Sequence, residues 1–188
     1  MIKELEDFNV YIAIVGFRNV KIIDVNGFFN LVRKRVKEVH IQFFDATLIA
    51  GWEHLYFAAL NALNAFKSKQ NISNSLAMEA LLFASAQRQI SRAVEMLGIR
   101  PESSQVAVLI LAETRKRATA ALGIIFETMS GERDDNILEL TDEKIGGLKR
   151  LFEISDLEIK AKLRKEALEQ EALIDLVIEH MALLATQH

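Results

Sequence analysis

The 188-residue chain contains no cysteine and a single proline, Pro101. The first absence excludes disulfide staples and thiolate metal sites and fits a reducing compartment. The second excludes a proline-rich linker. Histidine is also scarce: His40, His54, His180 and His188. Two of them sit beside a carboxylate, in Glu53–His54 and Glu179–His180, and neighbours on a helix point about 100° apart and rarely share a metal. No metal site and no cofactor are expected. No apolar run reaches the length of a membrane span, and the opening residues (Ile2, Lys3, Glu4, Leu5, Glu6, Asp7) lack the basic start and apolar stretch of a signal peptide, so a cytoplasmic protein is expected. There is no Walker loop, no G-x-G-x-x-G and no G-x-S-x-G elbow. Gly146-Gly147 lies inside a helical pattern without the strand chemistry of a phosphate cradle. An enzyme is not expected, although catalytic groups can converge from distant positions. The net charge of −3 does not suit a nucleic-acid coat; a local contact needs only a few well-placed cations.

What is present is apolar bulk. Apolar residues make up 51% and aromatics 7%, so the weight sits in Leu, Ile, Val and Ala. Residues 10–15 form a strand-type run that Gly16 can break. Residues 28–38 have helical spacing, with Phe28, Leu31, Val32 and Val36 on one side and Arg33, Lys34, Arg35 and Lys37 around the rest. Residues 39–45 return to strand chemistry. Trp52, Leu55, Tyr56, Ala59, Leu60, Leu63 and Phe66 recur at helical steps. Ser73 or Ser75 can cap the next helix. After the polar interruption Ser85-Ala86-Gln87-Arg88-Gln89, helical spacing resumes through Leu97, with Gly98 as a left-handed stop. Residues 105–112 are apolar on both faces, as in a covered central strand. Residues 115–129 form a helix with Ala118, Leu122, Ile125, Phe126 and Met129 inward. Residues 137–140 form a short strand, Thr141 opens a helix, and Ser155 with Glu158 makes a capping box. The expectation is one α+β domain over residues 1–188, a few-stranded and mostly antiparallel sheet packed with helices.

Two features ask for a partner. The last helix, expected over about 164–186, carries one apolar stripe of Leu173, Leu176, Val177, Met181 and Leu184 and a second of Ile174, Ile178, Ala182 and Ala185. Two apolar faces mean deep burial or docking on another chain. The polar segment Gln87-Arg88-Gln89, with Lys67, Lys69, Asn71 and Ser73 upstream, offers amides and a guanidinium that bond phosphates and base edges, against the plain reading of a solvated helix face.

The stretch His40–Ile99 resembles the kinase-binding subunit family of the KEOPS complex, in its archaeal form. Gln42-Phe43-Phe44-Asp45-Ala46, Ala59-x-x-Ala62, Asn71-Ile72-Ser73 and Glu79–Ile90 carry the resemblance, followed by Ala93 and Leu97-Gly98-Ile99. Leu173–Ile178 with Met181 resembles the family's last helix, so nearly the whole chain is covered. Ala86 departs from the pattern, standing where related sequences often have glycine. The resemblance implies one α+β domain without catalysis. It implies binding to the small atypical kinase/ATPase of that complex and support of threonylcarbamoyladenosine modification of tRNA. It also implies binding of tRNA, including its single-stranded 3′ CCA end. Arg88 and Gln89, then Asn71, Ser73 and Lys69, are the implied tRNA contacts. Leu173, Leu176, Val177, His180 and Met181 are the candidate kinase contacts. The competing readings are a small-ligand protein or enzyme using a concavity near Gln87–Gln89, and a homodimer built on the last helix.

Overall fold

The computed structural model describes residues 2–163 and 169–186. In chain order the elements are β1 (Ile2–Leu5), β2 (Val10–Arg18), α1 (Val25–Arg35), β3 (Val39–Asp45), α2 (Gly51–Ser68), α3 (Leu76–Ala84), α4 (Ile90–Leu97), β4 (Val106–Ala112), α5 (Arg115–Thr128), β5 (Glu132–Arg133), α6 (Asp142–Leu151), α7 (Asp156–Lys162) and α8 (Glu169–Leu184). This is an α+β fold in two compact units. One holds Met1–Ala46 and Gly98–Ile137; the other holds Thr47–Leu97 and Leu138–His188.

The first unit is built on the sheet. Its strand order is β1-β2-β4-β3, with β5 pairing β2, and every pairing is antiparallel. All seven residues of β4 are buried, as its two-faced apolar sequence requires. One side packs Val15, Phe17, Phe43, Val108 and Ile110 against Val32 of α1 and Ile125 of α5. Asp24 starts α1 by accepting from the Gly27 N–H at 2.9 Å, which moves the start ahead of the apolar spacing; Val36 is already extended. Leu31 is 49% exposed, so it is not part of the inward face. Phe126 is also exposed, at 41%, and Arg133 lies over its ring at 5.7 Å.

Gly16 does not break β2. The strand continues to Arg18, with Gly16 opposite Ala107. Glycine is needed because another segment crosses there. The Asp134 N–H donates to the Gly16 carbonyl at 2.9 Å, and the Gly16 N–H donates to Asp135 Oδ1 at 3.0 Å. This crossing also corrects the strand expected at 137–140. Asp135–Leu138 is a short 3-10 turn, and the fifth strand is Glu132–Arg133, in the polar stretch before it.

The second unit is helical. Its core gathers Leu148 and Phe152 of α6 and its end, Ile154, Ile159 of α7, and Leu173, Leu176 and Val177 of α8. The capping box at Ser155 is formed, with both Ser155 and Glu158 bonded as expected. On α2 the buried face is Leu55, Ala58, Ala59, Ala62 and Leu63, whereas Trp52 is 50% exposed and Tyr56 half-buried. Periodicity counted the two aromatics as inward, but small alanines occupy the contact face. Gly98 follows α4 without a left-handed φ, so it ends the helix by another route than expected. α8 is described from Glu169 onward; the expected start near Arg164 lies outside the described residues.

A Cβ at Gly16 would lie 2.5 Å from the Asp134 carbonyl oxygen and 2.6 Å from Ile137 Cγ1. Gly16→Ala therefore forces backbone to move, and its expected cost is about 1–3 kcal/mol. Urea unfolding of the two proteins measures it; equal midpoints would show that the crossing is loose.

Candidate functional site

Every part of the site lies within the helical unit. Its frame begins at His54, which α2 places in the interior at zero exposure. The imidazole Nδ1 accepts from the Ala50 N–H at 3.1 Å. That leaves the proton on Nε2, which donates to the Ala84 carbonyl at 2.8 Å. One ring thus ties the start of α2 to the end of α3, with Phe152 edge-on at 5.7 Å. Burial pulls the His54 pKa down to about 4, opposed by the Ala84 carbonyl bond.

Directly after this tie the chain turns sharply. Ser85 Oγ donates back to the Leu81 and Leu82 carbonyls, and Ala86 adopts φ 51. A left-handed residue is cheapest as glycine, so Ala86 carries a backbone cost at this turn. The turn presents Arg88 and Gln89, both exposed, before α4 begins.

The second wall is the loop from α2 to α3. Lys69 ends α2 in a left-handed cap. Glu79 then folds the loop over itself. Its buried carboxylate accepts from the Ile72 N–H at 3.0 and 3.1 Å and from the Ser73 N–H at 2.7 Å. Asn71 Nδ2 donates to the Ser73 carbonyl at 3.0 Å, and Ser73 Oγ accepts from the Ser75 N–H at 3.2 Å. Ser75 is the residue that caps α3.

Between these walls lies a cavity of about 230 Å³. Asn61, Asn64, Ser68, Gln70, Glu79 and Arg88 supply its polar lining; Ala65, Ile72, Phe83, Leu184 and Ala185 supply the apolar part. It is smaller than the ~300–1,000 Å³ of a typical small-molecule pocket. The amides offer donors and acceptors together, and the guanidinium a planar fork for an anion. Among the described residues no cluster of three or more His, Asp or Glu is arranged to hold a metal.

The predicted residues divide accordingly. Arg88 lines the cavity. Lys69 and Gln89 are exposed beside residues that line it. Asn71 is half-buried and Ser73 buried, with the polar groups named above spent on the loop itself. Asn61 and Asn64, which sequence reasoning missed, lie one turn apart on the α2 face turned to the cavity. Their signal was the pair of amides inside an apolar helix. On α8, Leu173, Leu176, Val177 and Met181 are 0–6% exposed, packed inside their own unit. A side chain at that depth offers no surface to another chain. His180 is half-buried, as are Ile174 and Ile178 of the second stripe, while Leu183 is 55% exposed. Ile174 comes within 3.4 Å of a Cβ built at Gly51, and Leu184 and Ala185 line the same cavity as Asn61 and Ala65. The two helices therefore run side by side in the same direction. Phe57 of α2 is 37% exposed and Ile174 and Ile178 of α8 are half-buried, so each helix keeps partly open apolar side chains, together called the α2–α8 rim.

Residues 17–185 match the family described as Kinase binding protein CGI-121. Among curated relatives, the Regulatory protein Cgi121 of Methanocaldococcus jannaschii is 31% identical over 161 residues, covering 86% of this chain and 95% of that protein.

The His54 tie has a pH signature. Above pH ~6.5 the ring is neutral folded and unfolded alike, so stability is complete. Between ~6.5 and about 4 the unfolded chain takes up the proton first, and stability is lost as the pH falls; below the folded value nothing more is lost. The full span is on the order of 3 kcal/mol. Denaturant unfolding between pH 6.5 and 5 isolates it from the carboxylates. A His54→Gln chain, less stable at neutral pH, is expected to show a flatter profile there, and an equally steep one would remove His54 as the cause.

Proposed function

Because this chain belongs to the CGI-121 kinase-binding protein family, we propose that it is a non-catalytic, kinase-binding subunit of a KEOPS-type complex that also holds tRNA. On this reading it supports threonylcarbamoyladenosine modification by bringing the tRNA, through its 3′ CCA end, to partners that perform the chemistry. The observation that carries the tRNA part is the cavity in which Arg88, Asn61, Asn64 and Gln70 converge.

The fit is chemical. A single-stranded end leaves base edges and phosphates free, and proteins recognise such ends with amides, arginine planes and apolar platforms. Arg88 is assigned to a phosphate and the three amides to base edges. Lys69 and Gln89 add contacts at the mouth. Asn71 and Ser73 act by holding the loop in shape. The cavity's size favours an end group inserted from a larger molecule over an enclosed cofactor.

For the kinase we assign the α2–α8 rim, with Phe57, Ile174, Ile178 and His180 as contacts. Leu173, Leu176, Val177 and Met181 support it from beneath. The family's description and the partly exposed apolar side chains support this reading. A hydrophobic surface of this kind can also give weak self-association of the isolated protein.

Arg88→Glu is expected to weaken tRNA binding at least tenfold, and removal of the CCA end to do the same. The two changes together should lose little more than either alone, because they report one interaction. A gel-shift titration in which neither change alters affinity rejects the cavity.

Ile178→Glu, at a half-buried position, is expected to reduce capture of the complex's kinase by about tenfold or more without unfolding the chain. Leu176→Glu would bury a charge and confuse the two effects. A pull-down at equal melting temperature reads the result; undiminished capture would place the kinase elsewhere. Light scattering on the same variant separates loss of the kinase from loss of a homodimer.

A further inference from the structure

The sheet-bearing unit has a charged surface that neither the kinase rim nor the cavity uses. Arg33, Lys34 and Arg35 occupy the last turn of α1, and Lys37 follows. Arg115, Lys116 and Arg117 occupy the first turn of α5, which has no acidic residue. The sheet brings the residues that follow α1 to the start of α5, while Arg35 of α1 reaches Glu127 and Thr128 at the other end of α5. Val39 of β3 pairs with Ala112 of β4, so residues 37–38 lie beside residues 113–114. Arg117 closes the junction by bonding both Glu38 and Glu113 at 2.5 Å.

Three nearby carboxylates are engaged by arginine, and Glu4 of β1 bonds Tyr11 in the field of Arg115. Glu38 and Glu113 are held by Arg117, and Glu127 by Arg35. Residues 24–38 and 113–128 hold seven cations against Asp24, Glu38, Glu113 and Glu127, a net +3 on a chain whose total is −3. Arg33, Lys34, Lys37 and Lys116 are exposed, and none is in a salt bridge among the described residues. The fold explains only half of the pattern. A helix dipole favours the cations at the end of α1 and opposes those at the start of α5. Asn30 and Asn26 continue the exposed face of α1 towards its start, one and two turns respectively before Arg33 and Lys34.

We propose that this α1–α5 face binds the phosphate backbone of base-paired RNA. Positive side chains and amides on rigid helices hold phosphates and sugars irrespective of sequence, and that is how an RNA helix is read. The face needs no single-stranded end. The choice of RNA as the polyanion rests on the tRNA reading above, but this face is separate from the cavity.

The probe is a tRNA transcript lacking its CCA end, bound to the full chain and followed by fluorescence anisotropy from about 50 to 200 mM salt. The variant is Arg33→Gln/Lys34→Gln/Lys37→Gln/Lys116→Gln. Its affinity at low salt should fall at least tenfold, and its salt slope should shrink by about one for each phosphate no longer neutralised. Lys34→Glu and Lys37→Glu, made singly, give the same direction should the fourfold variant melt early. Unchanged affinity and slope in well-folded variants overturn the proposal. So does tighter binding of a poly-aspartate peptide than of the RNA, which would make the partner an acidic protein. Arg88→Glu should leave the slope on this CCA-less probe untouched while abolishing the preference for intact tRNA. Loss of the slope effect alone removes the α1–α5 face, and loss of the CCA preference effect alone removes the cavity.

Discussion

A buried polar group must find a partner or cost folding energy, and the helical unit is organised by two that do. Among the described residues no buried side-chain nitrogen or oxygen is left without a bond. His54 uses both ring nitrogens to fix where α2 begins and where α3 ends. Glu79 uses its carboxylate to set the loop between them. Each closes one wall of the same cavity, so its shape is fixed by hydrogen bonds whose loss would leave an orphaned polar atom in the interior. Such a wall is stiff, and stiffness is what an amide needs if it is to tell one hydrogen-bonding partner from another. The helices supply the rest by packing, with Leu173, Val177 and Met181 holding α8 down so that Leu184 and Ala185 reach the cavity.

Much of the fold was legible because strong local patterns agreed with tertiary need. β3 begins and ends where its apolar run does, β4 is as buried as its sequence demands, and the Ser155 box is formed. The misses share a cause: local spacing does not report what lies opposite. Trp52 and Tyr56 have the right period, yet α2 turns its alanines inward because neighbouring helices approach closely there. Gly16 reads as a break, yet it is a mid-strand gap for a crossing segment more than a hundred residues later in the chain. The buried carboxylate of Glu79 was unreadable, since its partners are backbone groups that any sequence possesses. Arg88 stood out in the polar interruption at 87–89 and was given its role by the family likeness; Asn61 and Asn64 needed the folded helix to face them toward it.

The same division separates framework from surface on α8. Sequence alone makes its two apolar stripes equivalent. Folding consumes one and leaves the other partly open beside α2, so Ile174 and Ile178 can serve a partner at little cost to their own unit. The family's description as kinase-binding and the relative's as regulatory suit such a surface, which is present before any partner arrives.

The two compact units alternate along the chain, which passes between them three times. β3 and β4 are partners in the sheet, yet α2, α3 and α4 are threaded between them. Neither unit can be finished while the ribosome is still on the first half, since the sheet waits for β4 and the helical core waits for α8. Contacts so distant in sequence slow folding. Leu184 and Ala185 emerge after every other residue that lines the cavity, so during synthesis the cavity is closed late. A chain interrupted before that point would already have its sheet but no finished site, and its uncovered helical core would mark it for the cell's quality control.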